Sequence, residues 1–310
     1  MKTTLTRVIK PTAPYDFYLT AGQPNYSRDQ EFKTEDYIDG SYLRLLDLGE
    51  RVALASVSSQ GTADDPELAV TLNGEDLTDD DADRATKQIS WLLGCDQDLK
   101  PFYDSVGDDP VLSEVVQQSY GYHNTRTASV FEALVQAVMG QQIATAVARI
   151  VRNLLIERYG VRGMVDDREW YAFPRAETLA KAEVSDLRQL KLSVRKSEYI
   201  QGIARAALES QDGFEGMHDL PDDEVVKGMI ALRGVGQWTA QWVLVRALAR
   251  PDGFPIGDLA LRRTVAGLYF DGAEITDDEL LEFSQRWSPW RSYATAYLFA
   301  ALRAGKVAGS

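Results

Sequence analysis

Two periodicities divide the chain near residue 104. Before it, short runs alternate apolar and polar residues. Tyr42–Leu48 and Val52–Ser58, joined by Gly49-Glu50, predict a β-hairpin, and Glu67–Leu72 predicts a third strand. Asp81–Leu93 follows with Ala82, Ala85, Ile89, Leu92 and Leu93 on one face, behind Thr78 and a run of aspartates suited to a helix N-terminus. From about residue 105 onward almost everything has a helical period. The spacing predicts a long run over Val130–Tyr159, interrupted at Gly140-Gln141-Gln142. Further helices are expected at Leu179–Leu190, Ser197–Leu208, Asp222–Leu232, Trp238–Ala249, Leu261–Tyr269, Asp277–Arg286 and Ser292–Ala304. The expected fold class is α+β: an N-terminal antiparallel sheet with one or two helices on a single face, then a mostly α-helical region.

The chain is organised around Met229–Leu268. There one helix ends, Gly234-Val235-Gly236 turns the backbone, and Trp238, Trp242, Val245 and Leu248 fall at the spacing of a buried stripe. Two glycines two apart permit a sharp turn and leave unpaired N–H groups at the start of the next helix, a seat for a phosphate. Taken alone, the same turn fits an ordinary helix cap and connector. Pro251, Gly253 and Pro255 then break the chain, and Asp258 precedes the next helical run, where on spacing alone it is an N-cap.

At 310 residues the chain can hold two or three domains. It has no apolar run long enough to span a membrane, and the N-terminus lacks the apolar core of a secretory signal, so a cytosolic protein is expected. Cys95 is the only cysteine, which rules out an internal disulfide and a four-cysteine iron–sulfur cluster; His123 and His218 supply no zinc set. Both histidines read as surface or capping residues. The net charge of −14 argues at first against nucleic acid. Its distribution answers this. Residues 1–120 hold 10 basic and 23 acidic residues, against 23 and 24 in 121–310. The excess acid, including Glu75–Asp83, is expected on a solvated outer face, which leaves a near-neutral remainder free to present local basic surface.

In combination, Leu232-Arg233-Gly234-Val235-Gly236-Gln237-Trp238-Thr239-Ala240 followed by Asp258 resembles the signature of a DNA glycosylase superfamily: a helix-hairpin-helix, a Gly/Pro-rich loop and an aspartate. Pro14-Tyr15-Asp16-Phe17, the run from Val130-Phe131-Glu132-Ala133-Leu134 to Gly140-Gln141-Gln142, and Trp287-Ser288-Pro289-Trp290-Arg291-Ser292-Tyr293-Ala294 are similar to 3-methyladenine DNA glycosylase II, in the same order. The resemblance implies a sheet domain over 1–104. It also implies one helical lobe from 105–129 and 251–310 that carries the aspartate, another over 130–250 that carries the hairpin, and a substrate cleft between the lobes.

It implies a catalytic role for Asp258, and the chemistry agrees. A fixed carboxylate stabilises an oxocarbenium-like sugar as the base leaves, and can orient the attacking water. Where a bifunctional relative has a nucleophilic lysine, this chain has Trp238, so simple hydrolysis is expected without a Schiff base. The resemblance further places Trp238, Trp242 and Phe299 at a pocket for a flipped base, with Phe17 or Tyr18 as a possible addition. Gly234, Val235, Gly236, Thr239, Gln141 and Gln142 fall at the DNA, Gln142 as the wedge filling the vacated stack. Each aromatic also fits ordinary helical core, and for Trp242 the two readings weigh the same. Arg195, Lys196, Arg262 and Arg263 are candidate phosphate contacts, and Arg291 a structural partner for a carboxylate or a helix end.

The expected partner is double-stranded DNA with alkylated bases, met by a monomer without a resident cofactor; a sodium or potassium ion at the hairpin is left open. Two other readings stand beside it. A non-catalytic helix-hairpin-helix DNA-binding module would have no use for Asp258. A glycosylase for oxidised, deaminated or mismatched bases fits less well with Trp238 and the missing cluster cysteines.

Overall fold

The computed structural model describes residues 1–22, 34–165 and 167–303. Its N-terminal part is a five-stranded antiparallel sheet: β1 (Lys2–Ile9), β2 (Glu35–Ile38), β3 (Ser41–Asp47), β4 (Val52–Ser59) and β5 (Leu68–Glu75), in the order β1-β5-β4-β3-β2. The expected hairpin is β3–β4, with Asp47 opposite Val52, and the expected third strand is β5. The two outer strands left little trace in the sequence. β1, KTTLTRVI, is a mostly polar edge strand, and β2 has only four residues.

Two helices accompany the sheet, α1 (Phe17–Ala21) and α2 (Asp79–Leu92). Ala82, Ala85, Ile89 and Leu92 of α2 join Leu46, Val57, Leu68, Val70 and Leu72 of the strands in one core. Thr78 and Asp81 start α2 with a reciprocal capping box. That corrects the expectation of a wholly solvated acidic run: Asp79, Asp80 and Asp83 are exposed, but Asp81 is 1% exposed and paired with Arg51 and Arg84.

The helical part comprises α3 (Lys100–Ser105), α4 (Leu112–Gln118), α5 (Val130–Gly140), α6 (Thr145–Tyr159), α7 (Ala176–Lys181), α8 (Val184–Gln189), α9 (Val194–Glu209), α10 (Asp222–Ile230), α11 (Gln237–Arg246), α12 (Leu259–Tyr269), α13 (Asp277–Ser284) and α14 (Arg291–Arg303). The expected last residue of α14, Ala304, lies outside the described residues. Two apolar clusters organise these helices. Leu134, Val138, Leu155, Ile200, Val243 and Leu244 belong to one, drawn from α5 to α11. Phe102, Leu112, Leu261, Leu280, Trp287 and Tyr297 belong to the other, which joins α3–α4 to α12–α14. Asp109 locks that second union, accepting from Tyr269 Oη at 2.7 Å, Trp287 Nε1 at 3.2 Å and the backbone N–H of Leu112 at 2.9 Å.

The helical expectation fails between α6 and α7. There β6 (Val161–Val165) and β7 (Arg168–Ala172) form an antiparallel hairpin. Its Val165 and Trp170 pack on Leu45 and Leu54 of the sheet, and a side chain at Gly163 would press on Leu45 and Val52 at 3.0 Å. Five-residue strands with two arginines and a glycine carry too little alternation to announce themselves. The helix expected over Leu179–Leu190 is also divided, because Ala182 and Glu183 are extended and separate α7 from α8.

A second tie joins sheet and helices. Glu35 of β2 pairs with Arg44 of β3 and Arg152 of α6, each at 3.0 Å, and accepts from Tyr42 Oη. Burial alone would raise the Glu35 carboxyl, but Arg152 and Arg44 outweigh it and hold the group down to about 2. The reading of the histidines also changes. His123 is fully buried, its Nδ1 2.7 Å from Gly94 O and its Nε2 2.8 Å from Pro14 O, and burial disfavours its charged form. His218 is half-buried beside Glu215 and against the Trp91 ring.

Candidate active site

The two glycines of the turn between α10 and α11 do different work. Gly234 sits at φ +91°, in the left-handed region, and its α-carbon lies against the Tyr199 side chain, so a side chain there is excluded twice over. Gly236 is exposed, has open space around its α-carbon and N-caps α11 with no side-chain cap. Val235 between them is buried and anchors the turn in the core. The first N–H groups of α11 are therefore held on a rigid turn behind a residue with no side chain, an arrangement suited to a phosphate oxygen.

The turn after α5 is fastened to this hairpin. Gln141 Nε2 donates to Gly234 O at 2.9 Å and to Thr239 Oγ1 at 3.0 Å. Thr239 is 1% exposed, and its hydroxyl is taken up in fastening the turn. Lys196 caps the end of α5, Nζ donating to Met139 O at 2.9 Å and to Gln141 O at 2.6 Å, and burial lowers its ammonium from the usual range. Its place in the sequence reading as a phosphate contact gives way to this one. Arg262 is likewise paired with Asp277, whereas Arg195 and Arg263 are exposed. Gln142 stands exposed at φ +57°, the residue that the fastened turn projects.

Asp258 is the N-cap of α12, its Oδ1 accepting from Leu261 N at 3.0 Å. Its other oxygen accepts from Trp238 Nε1 at 3.1 Å. One carboxylate thus ends the Gly/Pro loop, starts a helix and is tied to the second residue of α11. The loop that delivers it is pinned from both sides. Arg291 forms a two-pronged pair with Asp252, at 2.8 and 2.7 Å. Ser292 Oγ donates to Arg250 O and Gly253 O, and Gln241 Oε1 accepts from Phe254 N. The N-cap reading and the site reading of Asp258 are compatible, since the cap orients the carboxylate.

The stripe on α11 needs correcting. Its core face is Thr239, Ala240, Val243, Leu244 and Ala247, with Leu248 also buried, whereas Trp238, Trp242 and Val245 are only half-buried. The tryptophans line a neighbouring face that begins at Asp258. Trp242 borders the cluster of α5–α11 and Phe299 borders that of α12–α14, so the two rings come from opposite lobes. Of the two N-terminal candidates, Phe17 is core at 6% exposure and Tyr18 is exposed at 62%; Leu19 between α1's ends packs on the second lobe. Arg246, one turn beyond Trp242, escaped the sequence reading; the signal available was its i+4 spacing from that ring.

Comparison with known proteins agrees with this architecture. The chain is 36% identical over 216 residues to the DNA-3-methyladenine glycosylase of Bacillus subtilis, covering 70% of this chain and 71% of that one. The 3-methyladenine DNA-glycosylase of Archaeoglobus fulgidus superposes with a TM-score of 0.82 at 24% identity, over 96% of this chain and 98% of the other. The Schizosaccharomyces pombe 3-methyladenine DNA glycosylase, solved in complex with abasic DNA, matches with a TM-score of 0.57 at 23% identity, over 68% and 99%. Residues 135–289 match the HhH-GPD superfamily of base excision DNA repair proteins, and it is to this family that the chain belongs.

Proposed function

We propose that the protein is a monofunctional DNA glycosylase that hydrolyses the N-glycosidic bond of alkylated purines, 3-methyladenine and 7-methylguanine among them, after flipping the base from the duplex. The reading takes it to act as a cytoplasmic monomer without a resident cofactor. The observation that carries it is Asp258, with one oxygen held by the start of α12 and the other by the Trp238 indole. A preorganised carboxylate beside the sugar stabilises the positive charge that develops as the base departs. A DNA-binding module needs the hairpin but not this aspartate. The tryptophan at the place of a lysine nucleophile leaves water as the attacking group. The direct test is incubation with alkylated duplex DNA and identification of the released bases by mass spectrometry, with borohydride added in parallel. Release of methylated purines without a trapped covalent adduct is expected. A trapped species would overturn the monofunctional reading, and no release at all would overturn the glycosylase reading.

Two variants probe the parts separately. Gly236→Val fits the space in the free protein, since nothing lies within 4 Å of the added carbon, yet stands where a phosphate must approach. Affinity for damaged and undamaged duplex should fall together, with thermal stability little changed; retained affinity for undamaged DNA would make the turn a mere connector. Trp238→Phe keeps a ring and removes the N–H that holds Asp258. A hydrogen bond to a charged group is worth about 1.5–3 kcal/mol, so base release should slow at least tenfold, by the same factor for cationic and neutral bases. Unequal slowing would mean that stacking on the base, and not the hold on Asp258, is what this tryptophan contributes.

A further inference from the structure

Arg246 occupies the last turn of α11, where the two lobes meet, and among the described residues its guanidinium forms no ion pair. Its guanidinium carbon lies 5.8 Å from the centre of the Trp242 ring. Nη1 donates to Asn124 Oδ1 at 3.2 Å, while Nε is buried without a partner. The charges that act on Arg246 are Arg303 and Arg152, both of its own sign, and Glu35, which is engaged by Arg44 and Arg152. Arg303 in turn donates to Tyr122 Oη at 3.2 Å and stands four residues beyond Phe299 on α14. Each of these two helices therefore carries an aromatic residue followed one turn later by an arginine. Arg303 holds Tyr122 and Arg246 holds Asn124, two residues apart on one segment, so the ends of α14 and α11 converge there.

An arginine keeps its proton, and a half-buried guanidinium whose Nε is buried without a partner is unfavourable unless something else accepts its hydrogen bonds. One weak acceptor, Asn124, leaves most of the donor fork unused. A fork of this kind matches the adjacent O6 and N7 acceptors of an oxopurine. Hypoxanthine, the deaminated form of adenine, presents both. 7-Methylguanine presents a methyl group at N7 and a positive charge.

We propose that Arg246 is a specificity-determining residue: beneath Trp242 it reads the O6/N7 edge of a flipped neutral oxopurine and disfavours cationic methylated purines. This rests on the glycosylase reading above. It makes the pocket a compromise, with aromatic faces that attract a cation and an arginine that repels one. Normal guanine has the same edge but is held in the duplex by its full set of pairing bonds, so the cost of extrusion protects it.

The test compares two duplexes of one sequence, one with a single hypoxanthine and the other with a single 7-methylguanine, under single-turnover conditions. Wild-type protein, Arg246→Met and Arg246→Lys are measured, with thermal melting as the control for folding. Arg246→Met should lower hypoxanthine release at least tenfold and leave 7-methylguanine release unchanged or raise it several-fold. Arg246→Lys keeps the charge but loses the fork, so hypoxanthine release should fall while 7-methylguanine release stays at the wild-type level. Opposite movements for the two bases cannot come from a folding defect. Equal losses in both variants, or hypoxanthine release that does not respond, would make Arg246 a structural residue and overturn the proposal. That result leaves the glycosylase reading intact as long as wild-type protein releases 7-methylguanine.

Discussion

Replacing Asp258 with asparagine is expected to lower base release by roughly two to three orders of magnitude, with lesion DNA still bound. The estimate follows from the loss of one preorganised electrostatic group, commonly worth about 3–4 kcal/mol in the transition state. The fold should survive, because asparagine caps a helix about as well as aspartate does. One local cost remains. The carboxylate serves Leu261 N with one oxygen and Trp238 Nε1 with the other, whereas an amide has a single oxygen for the two donors. A loss of about 1 kcal/mol in stability is therefore expected, visible as a small drop in melting temperature. Single-turnover release at saturating protein separates chemistry from binding. A rate near that of the wild type would remove Asp258 from the mechanism and leave it a capping residue.

The largest effect on stability is expected at Glu35, far from the hairpin. Glu35→Gln leaves Arg152 without its carboxylate partner and Arg44 with only the more distant Glu132, at 3.7 Å. Breaking a buried pair in this way costs about 3–5 kcal/mol. The Glu35 side chain is 14% exposed, so water screens the loss little. Urea unfolding should show a lower midpoint at unchanged slope, and the protein that remains folded should release bases at the wild-type rate. The pH dependence carries a definite sign. The folded carboxyl is held below its unfolded value, so it contributes stability that is complete above the unfolded value of about 4.3 and is lost as pH falls toward about 2. The difference between wild type and Glu35→Gln should accordingly be constant near neutrality and close as the solution is acidified through that window. A difference that stays constant down to about pH 2 would mean that the pair contributes packing and not charge.

The sequence made different parts of this molecule legible to different degrees. The hairpin and Asp258 were readable because they depend on residue identity at short spacing: a glycine that needs positive φ, a second glycine opening the next helix, a carboxylate at a helix start. The sheet was half readable. β3, β4 and β5 alternate and bury one face, but β1 draws its place from pairing with β5 and not from its own apolar content. The hairpin β6–β7 was hidden for the same reason, since its register and its face are set by Leu45 and Leu54 more than a hundred residues away. Long-range hydrogen bonds were invisible throughout. Gln141 appeared as a candidate DNA contact, but only the structure joins it to Gly234 and Thr239. Lys196 appeared as a free cation and is a helix cap. The stripe on α11 was misread at Trp238, Trp242 and Val245, while Leu248 is buried as expected: half-buried tryptophans score as core in any reading of hydrophobicity alone.

The hairpin β6–β7 also bears on mechanics. Gly163 is pressed against the sheet, Val165 and Trp170 are seated on it, and Arg152 is bridged to Glu35 nearby. The lobe that presents the helix-hairpin-helix is thereby joined to the sheet at two points. Under the proposed function, a brace of this kind leaves the bending and unstacking of a bound duplex to the DNA. Sites where the double helix is already softened, by a poor pair or a weak step, then yield first, and recognition begins as a test of how readily the substrate deforms, before any base has entered the pocket.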